Sequence, residues 1–376
     1  MVLETGKRLA ARGHQVDCVC IRADRNIVGD AGGIRFHEIG GPLSSAVGFW
    51  LKFKTGCNRV VTAVDRILGN SHEDAVLFPQ VFPANWWASA LLRLHPSLPC
   101  VWYCQEPSAF IHSRNWIGAL PRPKNWIARA LNPMLRHMDL NHCRQFKKVL
   151  VNSQYSRQYT QQVYGYSDQQ CEVVYLGVDR ERFNTDIVES REPWITCIAK
   201  LTRFKNVDRI IDAVKLITDQ GQADCQLQIV GTGDAEAELR RQVDQLGLDQ
   251  HVRFHGRLSD SDMVTLLRKS RGLCLASVDE PFGLVAVEAM ACGTPVIAVN
   301  RGGPSEIVGN TEAGLLIDRP EPVLIAKAMS KLLNMSNEFE TRSSAALTRA
   351  ADFDWGGTVG RLEAIFNRKA CDDGSR

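Results

Sequence analysis

No apolar run in this 376-residue chain reaches the length that crosses a bilayer. No charged and apolar leader opens it, so a chain outside the secretory route is expected. None of the twelve cysteines forms a C-x-x-C pair. Cys18, Cys20, Cys100, Cys104, Cys197, Cys225 and Cys274 instead lie in apolar, strand-like runs. There a free thiol acts as a small hydrophobe, and a reducing cytoplasm is the matching compartment. No His/Cys cluster has zinc-ligand spacing. Gly231-Thr-Gly233 lacks the third glycine of a dinucleotide fingerprint, with Glu236 in its place. This argues against an NAD-dependent dehydrogenase.

What is present is an ordinary globular composition, 44% hydrophobic and 23% charged, long enough for two domains. The net charge of +3 is unevenly spread. Residues 1–190 hold 22 Lys+Arg against 16 Asp+Glu, and the remainder 23 against 26. Strand-like and helical segments alternate throughout, which predicts parallel sheets flanked by helices. Expected strands include Gln15–Ile21, Ile34–Ile39, Ala75–Phe78, Cys100–Cys104, Lys148–Val151 and Gln170–Tyr175. A second series runs Trp194–Ala199, Cys225–Val230, Val252–His255, Gly272–Ala276 and Val296–Val299. Ligands of such sheets bind beyond the carboxyl ends of the strands.

One stretch organises the rest, Glu280-Pro-Phe-Gly-Leu-Val-Ala-Val-Glu288 and its continuation to Gly302-Gly303-Pro304. Pro281-Phe282-Gly283 reads as a loop and Leu284–Cys292 as a helix stopped by Gly293 and Pro295. Glu280 then precedes a helix N-terminus, where free N–H groups favour an anion. Glu288 lies one or two turns along it. A phosphate beside a carboxylate that accepts hydroxyl hydrogen bonds suits a nucleotide sugar. Neither glutamate is expected in an apolar core.

The run resembles the retaining GT-B glycosyltransferases of family 4, whose signature is E-x-F-G-x-x-x-x-E followed by a G-x-P and a G-G-x-x-E-I-V element. The matching residues are Glu280, Phe282, Gly283, Glu288, Gly293, Pro295, Gly302, Gly303, Glu306, Ile307 and Val308. The resemblance implies an α/β architecture of two Rossmann-like domains facing a cleft. Its expected limits are an acceptor domain over 1–187, a nucleotide-sugar domain over 188–350 and a returning C-terminal helix and tail over 351–376. The first strand and Gly-rich loop of the family have no counterpart before Met1; a truncated or mis-started coding sequence is the expected cause, and the alternative is a protein that has lost part of its acceptor and phosphate site.

The resemblance also assigns roles. Glu280 would bind the donor sugar and Glu288 the ribose, with Phe282, Gly283 and Leu284 lining the donor. Lys200 and Lys205, in Ala199-Lys-Leu-Thr-Arg-Phe-Lys-Asn206, stand where two cations hold the diphosphate. Lys200 replaces an Arg and so gives up its bidentate fork. Gly256 and Arg257 match a loop that meets the nucleobase, and Gly231 and Gly233 a turn near the nucleotide. A tight turn accounts for those two glycines equally well. Gln105 and Glu106 end a strand on the acceptor side. Gln105 stands where many relatives carry a histidine, and it cannot exchange a proton at neutral pH.

No metal cofactor is expected. Asp260-Ser-Asp262 matches D-x-D by letter but sits at a helix start, where such residues cap. Residues 114–148 hold eight Lys/Arg, the single acid Asp139, and Trp116 and Trp126. This pattern fits either an anionic membrane surface or a solvated basic face over core tryptophans. The expected activity is transfer of a hexose, mannose or glucose foremost, from a nucleoside-diphosphate sugar to a saccharide or lipid-linked acceptor. The expected location is the cytoplasm, including the inner membrane face, with no nucleic-acid partner. The alternative is a non-catalytic nucleotide-sugar-binding or scaffold protein of the same fold.

Overall fold

The computed structural model describes residues 1–24, 28–40, 46–69, 75–113, 117–118, 123–185, 190–222, 224–335 and 338–372. The chain opens with α1 (Val2–Ala11), β1 (Val16–Cys20), β2 (Ile34–Glu38), α2 (Ala46–Leu68) and α3 (Ala84–Leu94). There follow β3 (Val101–Cys104), α4 (Ala109–His112), α5 (Lys124–Cys143), β4 (Lys148–Val151), α6 (Gln154–Tyr164) and β5 (Cys171–Val173). All pairings are parallel: β1 with β2, and β3–β4–β5 as a separate group.

The expected strand at Ala75–Phe78 is not formed as such. Leu77 bridges Cys100, and Val101 N and Tyr103 N donate to Leu77 O and Pro79 O, each at 2.9 Å. Pro79 has no N–H to donate, so the ladder along β3 stops there.

The second half comprises β6 (Glu192–Ile198), α7 (Val207–Asp219), β7 (Gln226–Val230), α8 (Glu236–Leu246), β8 (Val252–Gly256), α9 (Asp260–Lys269) and β9 (Ser270–Leu275). It continues through α10 (Leu284–Ala291), β10 (Val296–Val299), α11 (Gly303–Val308), β11 (Gly314–Ile317), α12 (Pro322–Leu333), α13 (Glu338–Ala350) and α14 (Trp355–Asp372). Its sheet is parallel with the order β11-β10-β9-β6-β7-β8. Both faces are covered. Ile210, Ile211 and Val214 of α7 and Met329 and Leu332 of α12 bury against one, Val287 and Met290 of α10 against the other. This is why its strands are near-continuous apolar runs rather than alternating ones.

The last helix, α14, packs on the first half. Arg12 and His14 reach Glu363 at 2.6 and 2.9 Å, and Arg361 reaches Glu172 at 2.6 Å.

Candidate active site

The order of the second sheet decides where the chemistry gathers. The chain runs outward from β6 through β7 to β8, then returns to place β9 on the other side of β6. Loops leaving the carboxyl ends of β6 and β9 therefore diverge and leave a crevice between them. The β6 loop carries Lys200 and Lys205 and the β9 loop carries Glu280.

Lys205 Nζ forms an ion pair with Glu280 Oε2, and Ser277 Oγ donates to the same oxygen at 3.2 Å. Asn206 adopts the left-handed conformation at φ +52°. Asn is among the few side chains that tolerate it. Its Nδ2 donates to Ala276 O at 2.8 Å, tying the two loops together.

Glu106 joins this pair from the first half. Its carboxyl is raised above the usual carboxylate range, chiefly by desolvation, then by the negative charge of Glu280, with Lys205 opposing. Its edge stays open to solvent, so the shift reports the crevice and not a sealed core. Gln105 lies beside it, and its backbone carbonyl accepts from Ser156 Oγ at 3.1 Å.

Glu288 is separate. Its charged neighbours are Asp260, Arg182 and the amino group of Met1. Desolvation, reinforced by Asp260, pushes its carboxyl up to about 7. It is half-buried among these charged groups and is not enclosed in the apolar core.

Phe282 lies in the loop after Glu280. Its ring is buried among Tyr175 and Phe353, with centroids 6.3 and 6.0 Å away, so only its backbone can face a ligand. Gly283 is the N-cap of α10 at φ +87°, and Leu284 packs partly into the same core.

The remaining residues sit at the same edge of the sheet. Lys200 is exposed just past β6, and Gly256 and exposed Arg257 end β8. Gly231 and Gly233 have a packing reason. A Cβ on either would lie 1.9 Å from Ala199 O and 2.0 Å from Leu201 O, respectively. They let the β7 turn lie against the segment bearing Lys200. Asp260 and Asp262 open α9, where Ser259 Oγ caps Asp262 N at 3.2 Å and Asp260 meets Arg182 at 2.7 Å. His251 and His255 bond to Cys225 O and Gln228 Oε1.

Four contributors went unseen in the sequence: Asp279, Tyr155, Ser156 and the role of Glu306. Glu306 belongs to the G-G-x-x-E-I-V element, yet its partners lie about 150 positions away. Its carboxylate accepts from Gln154 N at 2.8 Å and Tyr155 N at 2.6 Å, capping α6 of the first half. Only its place in the element hinted at a role.

Two halves of parallel strands and helices, with charged loops at the strand ends, have the architecture of the GT-B glycosyltransferases. Residues 1–182 match Glycosyltransferase Family 4, and residues 179–349 match Glycosyl transferases group 1. The chain thus carries a Glycosyltransferase Family 4 domain followed by a Glycosyl transferases group 1 domain. The chain is similar to D-inositol 3-phosphate glycosyltransferase of Corynebacterium glutamicum, at 30% identity over 46% of this chain and 43% of the relative. It is also similar to the MMP alpha-(1->4)-mannosyltransferase of Mycolicibacterium hassiacum, at 27% over 60% and 55%. The chain thus spans about half the length of the curated relatives it matches. Among solved structures, Anabaena Alr3699/HepE in complex with UDP and glucose superposes with a TM-score of 0.75 at 21% identity, covering 97% and 94% of the two chains. Sucrose-phosphate synthase of Thermosynechococcus elongatus gives 0.75 at 20%, covering 98% and 92%. These likenesses establish the fold.

Proposed function

We propose that the chain is a retaining, metal-independent glycosyltransferase moving a hexose from a nucleoside-diphosphate sugar to a saccharide or lipid-linked acceptor. The observation that carries this is the meeting of Lys205 and Glu280 at the switch point, with Glu106 facing them. Breaking the anomeric C–O bond puts negative charge on the departing diphosphate, and a fixed cation there stabilises the transition state. Lys205 supplies it, supported by Lys200. Glu280 accepts sugar hydroxyls, Glu288 the ribose, and the backbone of residues 282–284 with the Gly231 and Gly256 turns borders the nucleotide. In a front-side transfer the acceptor hydroxyl gives its proton to the leaving phosphate. Gln105 then needs to orient that hydroxyl and not ionise. Relatives named for mannosyl transfer and structures holding UDP with glucose support a hexose donor.

A panel of nucleotide sugars tested for thermal stabilisation identifies the donor, because ligand binding to the folded state raises Tm. Turnover of that donor is expected to persist in EDTA. Loss in EDTA with recovery on manganese would overturn the metal-independent reading and return Asp260 and Asp262 to consideration. A nucleotide sugar that binds without ever being turned over would favour the non-catalytic alternative.

The acceptor side also suits a lipid-linked substrate. Along α5, Trp126, Ile127, Leu131 and Met134 are 58%, 57%, 44% and 53% exposed. Exposed Lys124, Arg129 and Arg136 flank them, while Asp139 is wholly buried. Arg114, Trp116 and Arg122 of the same basic segment lie outside the described residues. Among the described residues, no helix is long and apolar enough to cross a membrane. A surface-lying face with cations and no exposed acid fits an anionic bilayer at the inner membrane face, each cation contributing about 1 kcal/mol. Sedimentation with phosphatidylserine vesicles should exceed that with phosphatidylcholine vesicles at low salt, and Ile127→Glu with Leu131→Glu should abolish the difference. Equal sedimentation of the wild type with both would remove the membrane from the proposal.

A further inference from the structure

The loop that carries Glu280 is gripped from both halves of the molecule. On the first-half side, Ser153 Oγ and Ser156 Oγ donate to Pro281 O at 2.6 and 3.2 Å. Tyr155 OH donates to Asp279 Oδ1 at 2.8 Å. These three residues are the N-cap and first turn of α6, and Glu306 caps the same turn from the second half. On the opposite side, Gly303 N donates to Glu280 O at 2.8 Å. A Cβ on Gly302 would stand 2.7 Å from Glu280 O, and one on Gly303 2.4 Å from Phe282 Cα. The loop is therefore pressed against bare backbone.

Within this grip Asp279 holds the left-handed conformation at φ +63°. Arg301 Nε pairs with its Oδ1 at 2.7 Å, alongside the Tyr155 hydroxyl. An aspartate in that conformation costs backbone energy and persists where its surroundings over-determine it. Releasing the side chain would let the peptide before Glu280 rotate, and the carboxylate would leave Lys205.

We infer that Asp279, Tyr155 and Glu306 are positioning residues that hold Glu280 on Lys205 by clamping its loop between the two halves. The first half thus sets the geometry of a carboxylate carried by the second. A consequence is that donor-side chemistry depends on how α6 is seated. The kinetic side of this inference rests on the glycosyltransferase reading, whereas the geometric side does not.

The test is competitive acetylation of the lysines of the intact protein, followed by mass spectrometry, with exposed Lys331 as internal standard. Glu280→Ala should raise the labelling of Lys205 relative to Lys331 by about five-fold, the factor expected on losing a favourable ion pair. Asp279→Ala and Tyr155→Phe should raise it comparably. Asp279→Asn keeps an acceptor and tolerates the left-handed conformation, so it should remain near wild type. With the donor found in the thermal screen, Asp279→Ala should lower kcat about ten-fold through misplacement, with the Kd for the free nucleoside diphosphate unchanged. Tyr155→Phe preserves the ring and serves if Asp279→Ala does not fold. If Lys205 labelling rises in Glu280→Ala but not in Asp279→Ala or Tyr155→Phe, the clamp is overturned. If it rises in none of them, the clamp is likewise overturned, because Glu280 then does not rest on Lys205. A wild type that binds no nucleotide sugar would sink the glycosyltransferase reading while leaving the labelling result to decide the clamp.

Discussion

Lys205→Met should reduce kcat by about a hundred- to a thousand-fold, the range seen when one fixed group that stabilises developing charge is removed. Lys205 reaches Glu280 from the adjacent strand end, and in the proposed mechanism it meets the charge of the leaving diphosphate. Substrate binding should suffer less, because the diphosphate carries more charge on the leaving oxygen in the transition state than in the ground state. Glu280→Gln should lower kcat by about ten- to a hundred-fold, the worth of a charged hydrogen bond that strengthens as the sugar ring distorts. The two residues touch, so the double variant should fall well short of the product of the single effects. The measurement is donor-dependent steady-state kinetics with Tm as a folding control. If folded Lys205→Met matches wild type, the crevice is structural and the proposed mechanism goes with it.

Glu288 should behave in the opposite manner. The contacts proposed for it with ribose hydroxyls would exist equally in ground and transition states, so Glu288→Ala should raise the donor KM by about ten- to a hundred-fold and spare kcat. Burial adds a pH dependence. The carboxyl is raised from 4.5 to about 7 in the folded protein, so the folded state binds the proton more tightly than the unfolded chain between those values. Stability falls as pH rises through that window and levels off above it. The full penalty is up to about 3 kcal/mol, because each tenfold change in proton affinity corresponds to about 1.4 kcal/mol. Glu288→Gln removes the charge. The Tm difference between this variant and wild type should grow from near zero at pH 4.5 to its full value above pH 7. A ribose hydroxyl donates best to the ionised carboxylate, so the wild-type donor KM should also fall as pH rises past about 7. A Tm difference that is flat across this range would show that Glu288 is not desolvated. An unchanged donor KM in folded Glu288→Ala would remove its ribose role.

Local patterns explain which elements were legible. Strands Lys148–Val151 and Val296–Val299 fall where the sequence puts them. Each is bounded by a Pro, Gly or polar cap and has one apolar period. The long helix α5 was not readable in that way. Its inward residues Leu135 and Cys143 are offset from an exposed stripe at Trp126, Ile127, Leu131 and Met134, and Pro133 interrupts the run. Two apolar faces blur the period that marks a helix.

By itself, the sequence determined the alternation of strands and helices, hence parallel pairing of the strands, and placed Glu280 before a helix and Lys205 after a strand. These are consequences of short-range spacing, because a turn or cap is built from neighbours. Tertiary structure alone decided that Lys205 rests on Glu280, that Glu288 is desolvated and that Phe282 turns into the core. It also decided that Glu306 caps a helix of the other half. Each of these depends on strand order and on how the halves pack; Lys205 and Glu280 are 75 positions apart, and Gln154 and Glu306 are 152. A desolvated carboxylate and a capped helix are properties of what surrounds a residue in space, and that is absent from its neighbours in the chain.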